Sequence, residues 1–124
     1  MSLINSKKEK QISITDLVWI KESAKWQACF ELYNKDSSVI FIAWFEETQQ
    51  QLQSFFAAHN INATVIIYRE ATAHYINNNP VIFIEHYPLH KKEEDMYSKL
   101  NLQNAIIYSS LDEPLFNYFG GEKI

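Results

Sequence analysis

Short apolar runs and helical apolar stripes alternate along the chain. Four continuous runs are rich in β-branched and aromatic residues, which is typical of strands buried on both faces of a sheet. These runs cover residues 39–45, 64–68, 81–85 and 105–109. In the segments before and between them, apolar residues recur three and four positions apart, which predicts amphipathic helices. The helices are predicted over residues 21–33, 46–60, 69–76 and 92–100.

The order of these elements predicts an α/β fold. Strands that alternate with helices of this length favour a parallel sheet with right-handed crossovers. We therefore expect a three-layer domain in which a mainly parallel sheet of about four strands carries helices on both faces. Polar residues interrupt the helical patterns and mark the helix ends, with Asn60 as the predicted cap of the second helix and the run Asn77 to Asn79 after the third.

The last segment, "YSSLDEPLFNYFGGEKI", predicts one more helix. Ser110 and Glu113 have the spacing of a capping box, and Gly120 suits a left-handed C-terminal cap. This helix would carry more large side chains than one sheet face can cover, so we expect it to contact a protein partner or, in a homodimer, a second copy of the chain. The predicted interface residues are Leu115, Phe116, Tyr118 and Phe119.

Composition predicts a single domain. The chain has 124 residues, of which 47% are hydrophobic, and this length and content suffice for one core. We expect residues 12–124 to form the domain and the polar residues 1–11 to form a flexible tail. The single cysteine, Cys29, is expected to be buried, and an internal disulfide is excluded. Because the sequence shows neither a secretory signal nor a membrane-spanning apolar run, we expect a cytoplasmic location.

Charge argues against nucleic acid as a partner. The net charge is −4, and Arg69 is the only arginine. Affinity for a phosphate backbone comes mainly from clustered lysine and arginine side chains. We therefore expect no binding of nucleic acid.

Acidic residues at the ends of two predicted strands are candidate metal ligands. Glu46 and Glu47 follow the first strand and Glu85 ends the third, so these carboxylates could converge on Mg²⁺ for phosphate chemistry. His86 and His90 follow in "EHYPLH", where the proline argues against a helix that would align the two rings. The simpler interpretation is that Glu46 and Glu47 favour the positive end of the helix they begin. We predict no metal and no cofactor, with a metal-dependent enzyme as the alternative.

Ser109 and Ser110 raise the question of a catalytic nucleophile. The stretch lacks the G-x-S-x-G turn that exposes a nucleophilic serine, and the sequence places no base beside it. The capping role already explains Ser110. We therefore predict no catalytic residue.

Three segments resemble the second nucleotide-binding fold of SecA, the motor ATPase of the bacterial Sec protein-export pathway. "ITDLVWIKESAKWQA" is similar to the segment that leads into that fold, and "VIFIAWFEETQQQLQSFF" is similar to its opening strand and helix. "YSSLDEPLFNYFGGEKI" is similar to the acidic, Phe-Gly-containing segment that leaves it. Together the segments extend over residues 14–124 in the family's order. The resemblance implies a RecA-like half-motor and an association with the protein-export machinery.

The sequence departs from that family where the family handles ATP. The fold in SecA contributes a glycine-rich loop and an arginine finger to a nucleotide held by another domain. Residues 86–104, "HYPLHKKEEDMYSKLNLQN", contain neither glycine nor arginine, and the chain has no Walker motif. We therefore expect a non-catalytic binding or regulatory module that acts through protein–protein contacts. A weak nucleotide sensor remains a further alternative.

Overall fold

A computed structural model describes residues 12–113 of the chain. Two sequence predictions fall outside this range. One is the flexible tail over residues 1–11. The other is the C-terminal helix with its interface residues, which are Leu115, Phe116, Tyr118 and Phe119.

Five parallel strands form one sheet. The strands are β1 (Ser13–Trp19), β2 (Ile40–Ala43), β3 (Thr64–Ile67), β4 (Val81–Phe83) and β5 (Asn104–Ser110). Their order across the sheet is β1-β5-β4-β2-β3. Residues 39–43 and 81–84 are buried throughout, as expected of strands covered on both faces.

Helices cover both faces of the sheet. They are α1 (Glu22–Lys35), α2 (Glu46–Ala58), α3 (Ala73–Ile76) and α4 (His90–Lys99), with a 3-10 turn over Tyr68–Glu70. The first face is covered by α1 and α2, which pack Cys29 and Phe56 against Phe41. The second face is covered by α3 and α4, which pack Ile76 and Tyr97 in the cluster around Phe83. The three-layer α/β class is therefore confirmed.

The predicted strand count was one too low, because β1 was missed. This strand lies at the edge of the sheet and pairs only with β5, from Ser13 opposite Asn104 to Trp19 opposite Ser110. Ser13 to Val18 are all exposed. The sequence prediction relied on continuous apolar runs, which mark strands buried on both faces, and an edge strand with exposed residues does not produce that signal.

The predicted helix over residues 69–76 divides into two parts. The 3-10 turn ends at Glu70, and the buried Ala71 separates it from α3. The hydroxyl of Thr72 accepts a hydrogen bond from the N–H of Tyr75 at 3.0 Å, so Thr72 caps the start of α3. A threonine in this capping conformation is extended, which interrupts the helix at that point.

Asparagine occupies the left-handed backbone positions of the described chain. Asn60, Asn77, Asn78 and Asn101 have φ between 49° and 65°, and no other residue described has positive φ. Asn60 follows the end of α2, where its N–H donates to the carbonyl of Ala57 at 3.0 Å. The helix itself ends at Ala58 with His59 as its C-cap residue, so Asn60 is the left-handed residue just after the cap and not the predicted cap itself. Asparagine tolerates this conformation better than other residues that carry a Cβ.

The buried position of Cys29 is also confirmed, since its side chain is inaccessible beneath α1. None of the helices within residues 12–113 has the length and apolar character needed to cross a membrane.

Candidate functional site at the carboxyl end of the sheet

The candidate site is the crevice between the carboxyl ends of β2 and β4. These strands are neighbours, but α2 leaves β2 over the first face whereas α4 follows β4 over the second face. Ligands of open α/β sheets bind at such switch points, where the connections from adjacent strands diverge. The residues that define the crevice are Trp44 and Phe45 after β2, and Glu85 and His86 after β4.

The carboxylate of Glu85 lies at the amino end of α2. Its Oε2 atom accepts hydrogen bonds from the backbone N–H groups of Trp44 at 2.9 Å and Phe45 at 3.0 Å. Its Oε1 atom accepts a hydrogen bond from the hydroxyl of Thr48 at 2.6 Å. These three donors lie at the amino end of α2, where Phe45 supplies no side-chain cap. Glu85 thus caps α2 from the segment that follows the neighbouring strand β4.

Burial changes the ionisation of Glu85. Desolvation raises the pKa of its carboxyl to about 7, although the hydrogen bonds from Thr48, Phe45 and Trp44 and the charge of Lys25 oppose the shift. The group therefore changes protonation state near neutral pH. When it is ionised, it is a negative charge at the position where the helix dipole favours an anion.

Lys25 forms a buried ion pair beside the crevice. It extends from α1, and its Nζ atom lies 2.7 Å from Oε2 of Glu113 and donates to the carbonyl of Ile84 at 2.7 Å. Both charged side chains are almost inaccessible to solvent. The pair connects α1, the end of β4 and the segment after β5. The ammonium group of Lys25 is therefore already bound by the Glu113 carboxylate and the Ile84 carbonyl.

Glu113 provides half of the predicted capping box. Its Oε2 atom accepts a hydrogen bond from the N–H of Ser110 at 2.9 Å, as the glutamate of such a box does. The hydroxyl of Ser110 is buried and has no hydrogen-bond partner among the described residues. Ser110 ends β5, and the carboxylate that reaches back to it also binds Lys25.

His86 connects the edge strand to α4. Its Nε2 atom lies 2.7 Å from Oδ2 of Asp16 on β1, and its Nδ1 atom lies 2.8 Å from Oε2 of Glu93 on α4. Glu93 also accepts the N–H of Tyr87 at 2.8 Å, and Asp16 accepts the hydroxyl of Ser109 at 3.2 Å. An imidazole with carboxylates at both nitrogens is held as imidazolium, because only the protonated ring donates from both.

The contact between His86 and Glu93 shifts the pKa values of both residues. The hydrogen bond to Glu93 raises the pKa of His86 to about 9; burial opposes this shift and Asp16 reinforces it. Burial alone would raise the pKa of Glu93, but the hydrogen bonds from His86 and the Tyr87 N–H lower it below its ordinary value. The cluster is therefore charged at neutral pH.

An aromatic layer covers the crevice on the second face. The ring of Trp44 lies 5.1 Å from that of Tyr68 and 5.0 Å from that of Tyr87, and Phe45 stacks on Tyr87 at 5.6 Å. The Nζ atom of Lys92 lies 4.8 Å from the Tyr68 ring centroid and 5.0 Å from that of Tyr87. This lysine makes cation–π contacts that hold the two tyrosines together.

The other sequence candidates do not contact Glu85, although Nδ1 of His90 lies 3.5 Å from Oε1 of Glu93, the glutamate that also binds His86. Glu46 is exposed and forms an ion pair with Arg69 at 2.7 Å, and Glu47 is also exposed. His90 is largely exposed at the start of α4, with Nε2 at 3.0 Å from the carboxylate of Glu94. Neither Glu46 nor His90 contacts the Glu85 carboxylate. Within residues 12–113, no three histidine, cysteine, aspartate or glutamate side chains form a group that could hold a metal ion.

Sequence reasoning missed Lys25, Asp16 and Glu93 as members of the site. Lys25 gave a usable signal, because it precedes Cys29 by four residues and so shares the buried side of α1. A lysine at such a position needs a carboxylate partner. Asp16 gave no comparable signal, because the strand that carries it was not predicted.

No family model, curated protein or solved structure gives a significant match to the chain. The relationship to SecA therefore stays a prediction from the sequence segments.

Proposed function

We propose that this chain is a non-catalytic, RecA-like binding or regulatory module, related to the second nucleotide-binding fold of SecA. In this proposal it acts through protein–protein contacts and has no role in nucleotide hydrolysis. The three-layer α/β fold with a parallel sheet is consistent with such a relationship. Association with the protein-export machinery belongs to the same proposal and follows from the resemblance alone.

The observation that carries the proposal is the position of the Glu85 carboxylate. The amino end of a helix after a parallel strand binds phosphate in many nucleotide-binding folds, because its N–H groups and dipole favour an anion. Here the carboxylate of Glu85 already accepts the N–H groups of Trp44 and Phe45. A phosphate would have to displace this internal anion and then lie close to its charge. The negative charge of Glu85 therefore disfavours the binding of a nucleotide in this crevice.

The engagement of Lys25 supports the same conclusion. A lysine near the phosphates of a nucleotide must direct its ammonium group at the ligand. The ammonium group of Lys25 instead binds Glu113 and the carbonyl of Ile84, both at 2.7 Å. Redirecting it would leave the Glu113 carboxylate buried without a cation, which is costly.

Support for a protein contact comes from the edge of the sheet. Ile14, Leu17, Val18 and Ile20 are exposed along and just after β1. Large exposed apolar surfaces mark interaction sites, and four exposed apolar residues along one strand edge favour this interpretation. A module without nucleotide chemistry but with such an edge has a surface suited to docking.

Thermal unfolding tests the proposal. We expect millimolar ATP, with or without Mg²⁺, to leave the melting temperature of the full chain unchanged, because a ligand that binds the folded state raises it by mass action. ATP-dependent stabilisation would contradict the proposal and favour the nucleotide sensor. Stabilisation by Mg²⁺ or Mn²⁺ that Glu85→Gln abolishes would favour the metal-dependent enzyme. Glu31→Gln serves as the matched control, since it neutralises an exposed carboxylate on α1 that is no candidate ligand.

A further inference from the structure

The outer edge of β1 carries backbone groups without described partners. The N–H of Ser13 donates to the carbonyl of Gln103 at 3.1 Å, and the carbonyl of Trp19 accepts from Leu111 at 2.9 Å. In a parallel pair, alternate residues bond to the same neighbour, so the odd-numbered residues of β1 bond to β5. The even-numbered residues Ile14, Asp16 and Val18 therefore direct their N–H and C=O groups away from the sheet. No residue within 12–113 pairs with that edge.

Apolar side chains are concentrated along the same edge. Ile14, Leu17, Val18 and Ile20 are between 43% and 74% exposed. They are half of the eight large hydrophobic residues that are exposed within residues 12–113, so the concentration is local. An edge strand with this character is a template for pairing with another strand.

The only charge on β1 is paired within its own chain. Natural edge strands often avoid association by carrying a charge or a proline. The charge here is Asp16, and its carboxylate is held on the second face by Ser109 at 3.2 Å and His86 at 2.7 Å. Proline is absent from the strand. The outward N–H and C=O groups of Asp16 remain directed to the edge.

The sequence of β1 is self-complementary in one antiparallel register. Pairing two copies about Leu17 places Leu17 opposite Leu17 of the second copy and Thr15 opposite Trp19 of the second copy. Ile14 then lies opposite Ile20 of the second copy, the residue just after β1. In this register Asp16 lies opposite Val18 of the second copy. A shift that centres the pair on Asp16 instead opposes two like charges, which is destabilising. A shift that centres it on Thr15 removes the apolar partners of Leu17 and Ile20. A shift that centres it on Val18 leaves only residues 17–19 of each β1 paired, whereas the register about Leu17 pairs residues 15–19.

We propose that a second copy of this chain pairs with β1 in antiparallel orientation, about a twofold axis through Leu17, and joins the two five-stranded sheets into one. This deepens the proposed function, on which it rests, by naming a second copy as the partner. The backbone groups of Ile14, Asp16 and Val18 supply the hydrogen bonds. Leu17, Ile14 and Ile20 supply the apolar contact that fixes the register.

Sedimentation equilibrium over a range of concentrations of the full chain tests the association. We expect a monomer–dimer equilibrium whose dissociation constant rises at least about tenfold in Leu17→Lys, because the variant opposes two ammonium groups across the axis. Leu89→Lys is the matched control, since Leu89 is exposed at the start of α4, outside the proposed interface, and this variant should dimerise normally. Equal dimerisation of the two variants would overturn the proposal.

Cysteine cross-linking tests the register. Leu17 would form a pair that is not hydrogen-bonded, in which the Cβ atoms are roughly 5 Å apart, so Leu17→Cys should give a disulfide-linked dimer under mild oxidation. Thr15→Cys should not, because the two Thr15 residues would lie about 13 Å apart along the strands. Burial raises the pKa of the Cys29 thiol to about 12, so this cysteine should not compete. Cross-linking of Thr15→Cys and not of Leu17→Cys would refute the register.

The outcomes separate this inference from the proposed function. A chain that stays monomeric at all concentrations, with no response to ATP, overturns the inference and leaves the proposed function intact. A dimer that ATP stabilises against heat contradicts the proposed function and leaves the inference intact. If Leu17→Lys lowers the melting temperature of a monomer, another segment of the same chain covers the edge and the inference is wrong. If Leu17→Lys loses binding to a different protein but still forms a dimer, the inference is also wrong.

Discussion

Two ion pairs of this protein have the same length and opposite surroundings. Lys25 and Glu113 are 2.7 Å apart with side chains 0% and 3% exposed, whereas Arg69 and Glu46 are 2.7 Å apart with side chains 58% and 64% exposed. Solvent screens the exposed pair, and its long side chains lose conformational entropy when they are held together. The buried pair interacts strongly, but both ions have lost their hydration. Distance alone therefore does not rank the two interactions.

The difference in exposure determines how much stability is lost when one ion of a pair is removed. Removing one ion of an exposed pair returns the other ion to water. Removing one ion of a buried pair leaves the other without water and without a partner. The same reasoning extends to Glu85 and His86, whose burial and hydrogen bonds lie between the two extremes.

The largest effect is expected from removing one partner of the buried pair. Lys25→Met should lower the free energy of unfolding by about 3–5 kcal/mol, because it leaves the Glu113 carboxylate buried without a cation. Urea denaturation with an unchanged m-value measures the loss. The double variant with Glu113→Leu should recover much of it, since neither ion of this pair then remains buried without its partner. If Lys25→Met were as stable as the wild type, breaking the buried pair would cost no more than breaking the exposed pair.

The next largest effect is the pH dependence caused by Glu85. Its folded pKa of about 7 lies above the unfolded value near 4.5, so its contribution is favourable below pH 4.5 and is lost as the pH rises towards 7. We expect the wild type to lose roughly 2–3 kcal/mol relative to Glu85→Gln over this interval. Denaturation curves at several pH values give the slope of the free energy of unfolding against pH for the wild type and for Glu85→Gln. Identical slopes below pH 7 would show that Glu85 ionises normally in the folded state.

A smaller pH effect is expected from His86 in a higher window. Its folded pKa is raised to about 9 from an ordinary value of 6.5, so its contribution is complete below pH 6.5 and is lost as the pH rises through 9. After allowance for solvent screening, we expect roughly 1–2 kcal/mol of stability to disappear between these values in the wild type and not in His86→Gln. NMR titration of the imidazole gives an independent check. A midpoint near 6.5 would contradict the bridge between Asp16 and Glu93.

The smallest effect is expected from the exposed pair. Arg69→Ala should lower stability by no more than about 1 kcal/mol, and the difference should shrink as salt is raised because the charges are screened. Denaturation at low and high ionic strength measures it. A loss as large as that in Lys25→Met would mean that solvent exposure does not separate the two pairs.

Much of the fold followed from local pattern. The four buried runs predicted β2 to β5, because such strands are continuously apolar, and the spacing of apolar residues predicted the helices that cover them. The edge strand β1 was missed because neither of its faces is fully covered. The short α3 was predicted too long because the capping role of Thr72 was not recognised.

Less of the candidate site could be predicted, because its contacts join distant parts of the chain. Glu85 was recognised as a candidate from its place at a strand end, but its partner Trp44 is 41 residues away, and only the adjacency of β2 and β4 brings them together. Lys25 and Glu113 are separated by 88 residues, and Asp16 and His86 by 70. Strand order determines these contacts, and periodicity within a segment contains no information about strand order.

The pairing of β1 with β5 also has a consequence for the order of assembly. Ser13 lies opposite Asn104, so the closing contact of the sheet joins residues from the two ends of the described chain. Contacts of such large sequence separation carry a high loop-closure entropy and tend to form late. On the ribosome β1 emerges first, while β5 emerges only when most of the domain has been synthesised. For that interval β1 lacks β5, its one neighbour in the described sheet, and we expect nascent chains to be most prone to aggregate through this apolar edge.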